Sequence, residues 1–128
     1  MEYRTLGGTG LRVSRYCFGS LTLGPLGANL TPNEAKPLLL SAFEQGVNFI
    51  DTAEYYRNYP HLRAALSSIN DPDSIVIASK TLSSDDRSAA FAIEDARLGL
   101  NREVIDVFLL HEIRDREDWL YRGDAWRA

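Results

Sequence analysis

Ile75-Val76-Ile77-Ala78-Ser79-Lys80 runs through β-branched and small residues without polar alternation and then stops on a lysine. A run of this kind reads as a strand buried on both faces, the mark of a parallel sheet. Two further stretches have the same form. Asn48-Phe49-Ile50 ends on Asp51, and Val107-Phe108-Leu109-Leu110 ends on His111. Each strand thus delivers a titratable side chain to the C-terminal end of the sheet, where barrels and open α/β sheets carry out chemistry. An acid, an ammonium and a weak base on one rim point to an enzyme site.

The segments around these strands fit repeated βα units. Upstream, residues 3–15 read as a β-hairpin, with Tyr3 to Leu6 and Leu11 to Ser14 flanking Gly7-Gly8-Thr9-Gly10. The glycine cluster is no phosphate loop, because no Gly-Lys-Ser/Thr follows and its context is strand-turn-strand. A first buried strand spans about 16–20. Thr31-Pro32-Asn33-Glu34 then forms a capping box with proline at the first helical position. The helix it opens carries Ala35, Leu38, Leu39, Ala42 and Phe43 on one face, and Gly46 ends it in the left-handed conformation. Pro37 removes an amide donor in the second turn, so an irregularity or a later start is expected there.

The second strand covers about 48–53, and Leu62, Ala65, Leu66 and Ile69 mark a helix closed by Asn70-Asp71-Pro72-Asp73. The third strand, about 74–80, leads through Ser83-Ser84-Asp85-Asp86 into a helix with Ala89, Ile93, Ala96 and Leu100 buried. A fourth strand covers about 104–110. Residues from Arg114 to Ala128 read as an amphipathic helix with Trp119, Leu120 and Trp126. Strand starts roughly 30 residues apart match the length of a βαβ unit. Four such units give half of a (β/α)8 barrel or a small open sheet, and spacing alone leaves both open.

Composition sets bounds on function. With 128 residues, 45% of them hydrophobic and 25% charged, the chain has the make-up of one soluble globular domain. A net charge of -4 and a pI near 5.1 argue against a broad nucleic-acid or anionic-membrane surface. No stretch approaches the roughly 20 apolar residues of a membrane span, and the first residues lack a signal-peptide core. Cys17 stands alone, which excludes an internal disulfide and fits a reducing cytoplasm. Its setting, Tyr16-Cys17-Phe18, predicts a packed core thiol.

Each candidate site residue has a bland alternative. Asp51-Thr52-Ala53-Glu54 has capping-box spacing, so Asp51 could serve as a cap. Lys80 could be a solvated strand end, His111 a satisfied loop histidine, and Tyr55, Tyr56 and Tyr59 packing. As a group they suggest protonation of a developing alkoxide. A phenol with its ordinary pKa near ~10 is a poor acid at neutral pH, and a neighbouring ammonium such as Lys80 would favour the phenolate. Asp51 could hold Lys80, and His111 could donate to the reacting oxygen. The hydride itself must come from a cofactor, since no side chain supplies one.

Residues 1 to about 127 resemble the N-terminal part of the aldo-keto reductases. The stretches that carry the resemblance are Tyr3-Arg4-Thr5-Leu6-Gly7 with Thr9-Gly10-Leu11-Arg12-Val13-Ser14, Phe18-Gly19-Ser20, Gly46 to Tyr56, Ile77-Ala78-Ser79-Lys80, and Ile105 to His111. The resemblance implies a (β/α)8 TIM barrel preceded by a β-hairpin that closes its floor. It implies NADPH or NADH as cofactor and aldehydes and ketones as small carbonyl substrates. Residue by residue, the family's tetrad falls on Asp51, Tyr56 as general acid, Lys80 and His111. Tyr56 is preferred to Tyr55 because the family tyrosine lies five residues after its aspartate. Gly19, Ser20 and Leu21 match the loop beside the nicotinamide ribose, with Asp51 at the same end. Arg57 is a departure, standing where the family commonly has glycine.

A whole barrel needs about 250 residues. Residues 1–128 are therefore expected to be the N-terminal half of such a barrel, truncated in the fourth helix, with the main dinucleotide site on the other half. On that expectation the isolated chain is an impaired enzyme, with open barrel edges able to drive self-association. A non-catalytic interaction module on the same scaffold is the alternative, and a small independent open-sheet binding protein ranks behind both.

Overall fold

Four parallel strands in chain order dominate the structure, a computed structural model describing residues 1–128. They are preceded by an antiparallel hairpin of β1 (Tyr3–Thr5) and β2 (Arg12–Ser14), paired Tyr3 to Ser14 and Thr5 to Arg12. Gly7 and Gly10, at φ 51° and 78°, supply the left-handed positions of its turn. Asn48 fastens the hairpin to the start of the sheet: its Oδ1 accepts from Ser14 N at 2.6 Å and its Nδ2 donates to Arg12 O at 2.9 Å. The hairpin therefore lies at the N-terminal end of the strands, opposite Asp51.

The main sheet has the order β3 (Phe18–Gly19), β4 (Phe49–Asp51), β5 (Val76–Thr81) and β6 (Val107–Leu110), all parallel. Between them run α1 (Pro32–Glu44), α2 (Tyr59–Leu66) and α3 (Asp86–Leu100), and α4 (Arg116–Arg122) follows β6. This is the α/β architecture of parallel βα units expected from the apolar runs.

Local chemistry accounts for the helix ends. The Thr31 hydroxyl accepts from Glu34 N at 3.3 Å while the Glu34 carboxylate accepts from Thr31 N at 2.8 Å, a complete capping box. Gly46, at φ 87°, ends the segment as expected. Pro37 causes no late start: α1 runs unbroken from Pro32. The amide it lacks would have bonded the carbonyl of Asn33, an exposed residue where water can substitute. Asp85 caps α3 through Ser88 N at 2.9 Å, and left-handed Asn101 closes it.

The main apolar cluster lies on one face of the sheet, while Val76 and Ala78 of β5 are buried on the other. Ile50 and Ile77 are fully buried against Leu39, Leu62, Ala96 and Leu100, with Phe18 and Phe108 packed at the margin. Strand alternation sends Cys17, Phe49, Val107 and Leu109 to the other face. There Cys17 is exposed and Leu109 is 40% exposed. The expected core thiol is thus corrected: its neighbour Phe18 takes the core side, which turns Cys17 outward. Partial desolvation of the sulfur, with the Asp51 carboxylate, pushes its pKa up to about 11, so it stays a thiol at neutral pH.

Two apolar stripes also differ. Leu38 of α1 is half-exposed, leaving Ala35 and Leu39 as the buried positions. The last segment divides into α4 and a 3-10 turn over Gly123–Arg127. Leu120 and Trp126 are exposed there, while Arg122 and Ala125 are buried. No helix is long and apolar enough to cross a membrane.

Candidate active site at the strand rim

The parallel register decides which side chains meet. Asp51 pairs with Ala78, and Lys80 lies two residues further along β5, hence on the same face. Lys80 Nζ donates to Asp51 Oδ1 at 2.6 Å and to Thr52 O at 2.7 Å. Two of the three ammonium N–H groups are thus fixed, and the third is free. The alternative of Asp51 as a cap is not realised. Ala53 precedes the 3-10 turn Glu54–Tyr56, and no side chain caps it.

That turn brings Tyr56 to the rim. Its ring centroid lies 5.0 Å from Lys80 Nζ and 5.5 Å from the His111 ring, the two rings meeting edge to face at 77°. The Tyr56 hydroxyl makes no hydrogen bond within the chain. Tyr55 is 54% exposed and makes neither of these ring contacts. Tyr59 is buried on the helix side, where its hydroxyl bonds Ser79 Oγ at 2.8 Å. Burial pushes the Tyr59 phenol up to about 12, with the Ser79 bond opposing. Of the three tyrosines, Tyr56 alone joins Lys80 and His111.

His111 follows β6, and its N–H donates to Thr81 O at 2.8 Å. The imidazole is buried, and its Nδ1 has no partner. Burial and then the Lys80 charge hold its pKa below the ordinary histidine value, so the ring is neutral at pH 7.

The three residues expected beside the nicotinamide ribose differ in their surroundings. Gly19 pairs with Asp51 across β3 and β4, and a Cβ there would meet nothing within 4 Å. Leu21 is 41% exposed. Ser20 is fully buried, and its polar groups are all engaged: N with Asp51 O, and O and Oγ with Asn58 Nδ2 at 2.6 and 3.1 Å.

Three residues of this rim escaped the reading of the sequence. Asn58, fully buried, links the loop after β3 to the segment after β4, since its Oδ1 also accepts from Thr52 Oγ1 at 2.8 Å. Glu54 ties the tyrosine turn to β5 by accepting from Thr81 Oγ1 at 2.6 Å. Arg122 donates to carbonyls at the ends of β5 and β6. Asn58 stands directly before α2, where asparagine ordinarily reads as a cap, yet its side chain caps nothing. A cavity of about 700 Å³ lies at the other end of the sheet, lined by Tyr3, Phe43, Asn48 and Ile75, remote from these groups.

Comparison with known proteins adds an independent line. Residues 15–122 match the model of the Aldo/keto reductase family. A stretch of 58 residues is 45% identical to a probable voltage-gated potassium channel subunit beta of Oryza sativa subsp. japonica, covering 45% of this chain and 17% of that protein. A stretch of 56 residues is 41% identical to the L-galactose dehydrogenase of Arabidopsis thaliana, covering 44% of this chain and 18% of that protein. Among solved structures, a Pseudomonas aeruginosa protein described as an aldo-keto reductase superposes with a TM-score of 0.84 at 26% identity. That superposition covers 98% of this chain and 53% of the other, so the chain spans about half the length of its solved relative.

Proposed function

The chain belongs to the aldo/keto reductase family, and from that premise we propose that it carries the acid–base centre of an NAD(P)H-dependent oxidoreductase reducing aldehydes and ketones to alcohols. One observation supports this reading above the others. The Lys80 ammonium sits between the Asp51 carboxylate and the Tyr56 ring, with His111 against the same ring.

Carbonyl reduction builds negative charge on the substrate oxygen, and a proton must meet it there. In this reading Tyr56 is the general acid, and its free hydroxyl is the group able to approach that oxygen. The phenolate left behind lies beside the Lys80 charge, which Asp51 and Thr52 O hold in place. A neutral His111 carries one ring proton. Placing it on Nε2 leaves a lone pair, not an orphaned N–H, at the buried Nδ1, and presents a donor to the substrate oxygen.

A bound NAD(P)H supplies the hydride. The open backbone at Gly19, with exposed Leu21 and the Asp51 carboxylate alongside, fits the nicotinamide end of that cofactor. Ser20 serves there by holding its loop through Asn58. The four βα units supply half the strands of an eight-stranded barrel, and the remaining dinucleotide contacts are assigned to the other half. We place the protein in the cytoplasm, with small carbonyl compounds as substrates.

The test is Tyr56→Phe in a protein carrying both barrel halves, assayed for NADPH-dependent reduction of a simple aldehyde. The expected outcome is a loss of about 10²–10⁴-fold in kcat with unchanged circular dichroism; activity within a factor of about two of wild type sinks the proposal. Robust turnover by the 128 residues alone overturns the assignment of the other dinucleotide contacts elsewhere. The open sheet face bearing Phe49, Val107 and Leu109 favours a second reading, a non-catalytic interaction module on this scaffold. Absence of any phenotype for Tyr56→Phe would support it.

A further inference from the structure

A buried cation without an anionic partner lies at the strand ends. Arg122, the last residue of α4, is 6% exposed, and no carboxylate pairs with it. Its guanidinium goes instead to three backbone carbonyls. Nη1 donates to His111 O at 2.6 Å, Nη2 to Thr81 O at 2.8 Å, and Nε to Ser83 O at 3.2 Å. A buried charge is tolerated when hydrogen bonds replace its water, and the fork of arginine suits several acceptors at once.

The carbonyls belong to two segments that separate at this point. Thr81 O already accepts from His111 N, the last backbone bond between them. Immediately afterwards the chain turns at Glu112, which has a φ of 56°. Arg122 thus adds a side-chain cross-link where the ladder ends. The residues it binds are placed for consequence: Thr81 follows Lys80, and His111 bears the imidazole.

Resting on the function assigned above, we propose that Arg122 is a positioning residue for the carbonyl-reducing centre, bridging the ends of β5 and β6 so that Lys80 and His111 stay at the separation Tyr56 fills. Its charge acts in the same place. The Lys80 ammonium of β5 and Arg122 of α4 oppose protonation of His111, while Glu112 beside it and Asp51 of β4 favour protonation. Tyr56, from the turn after β4, meets His111 through its ring.

A control exists within the molecule. Arg102, 9% exposed, likewise donates to carbonyls, Pro72 O at 2.8 Å and Ile75 O at 3.2 Å, but at the opposite end of β5. The experiment compares Arg122→Lys, Arg122→Met and Arg102→Lys by NMR, following the imidazole titration and the Tyr56–His111 ring contact. The chain has two histidines, His61 and His111, so the signals are few. Both Arg122 variants are expected to weaken the ring contact. Arg122→Met is expected also to raise the His111 midpoint, since it removes a cation and admits water. With both barrel halves present, kcat is expected to fall about tenfold to a hundredfold with KM little changed. Arg102→Lys should lower the melting temperature alone.

If the Arg122 variants only melt earlier, with the His111 midpoint and ring contact of wild type, Arg122 is a structural clamp and the proposal is overturned. If they do not fold, the wild-type guanidinium resonances decide. They are expected to shift as His111 is protonated, and no response overturns the proposal. Retained activity in Tyr56→Phe, together with the expected NMR changes, would refute the chemical assignment separately while leaving the positioning by Arg122 in place.

Discussion

Replacing Asn58 by alanine should cost a large part of the chain's stability. Asn58 is fully buried, with its amide donating to Ser20 O and Oγ and its carbonyl accepting from Thr52 Oγ1. Each bond contributes about 1 kcal/mol net, and the partners left behind are themselves buried, so the loss is about 3–5 kcal/mol. A domain's total stability is ~5–15 kcal/mol, which makes this a substantial fraction. For a chain of this size ~1 kcal/mol moves Tm by roughly 4 °C, giving a drop of ~12–20 °C. Differential scanning calorimetry and urea unfolding measure it. Thr52→Val, which removes a single donor from the same network, should lose about 1–3 kcal/mol. In the folded Asn58→Ala population the Tyr56–His111 ring contact should weaken, because the tyrosine turn then loses its tie to the loop after β3. A loss below about 1 kcal/mol would mean that water satisfies these groups, and would refute the claim that Asn58 holds the rim together.

Arg57→Gly should stabilise the chain. Arg57 is exposed and sits at φ 52°, a left-handed position that costs a residue with a Cβ about 1–2 kcal/mol, partly offset by the greater unfolded freedom of glycine. A net gain of roughly 0.5–1 kcal/mol should appear as a higher urea midpoint, and an unchanged or lower midpoint contradicts it. Tyr59 should govern alkaline stability. Folding raises its pKa to about 12, so its contribution is complete below the ordinary phenol value of ~10 and is lost as pH rises from there towards 12. Urea midpoints of wild type should therefore fall over that window relative to Tyr59→Phe; parallel curves for the two proteins would exclude this linkage.

What could be read from the sequence was whatever depends on near neighbours in the chain. Thr31 and Glu34 form their box because both partners lie within one turn, and Gly46 ends α1 for a backbone reason local to that residue. The apolar runs ending on Asp51, Lys80 and His111 were legible because a parallel sheet aligns strand ends whatever the loops do. Arg122 and Asn58 were hidden for the opposite reason. Their partners are carbonyls and hydroxyls up to 41 residues away, and nothing in a charged segment marks which arginine will be withdrawn from water. Cys17 misled because an apolar run gives no sign that one face will stay open at that strand, although the other face of β5 is buried. Pro37 misled because its penalty depends on whether the carbonyl it abandons can reach solvent.

The strand order carries a consequence for biosynthesis. Each strand of the main sheet hydrogen-bonds only its immediate predecessor and successor along the chain. A polypeptide leaving the ribosome can therefore lay down this sheet in the order of translation, every new βα unit finding its template already present. Order of synthesis and order of pairing thereby coincide, from the amino terminus onward.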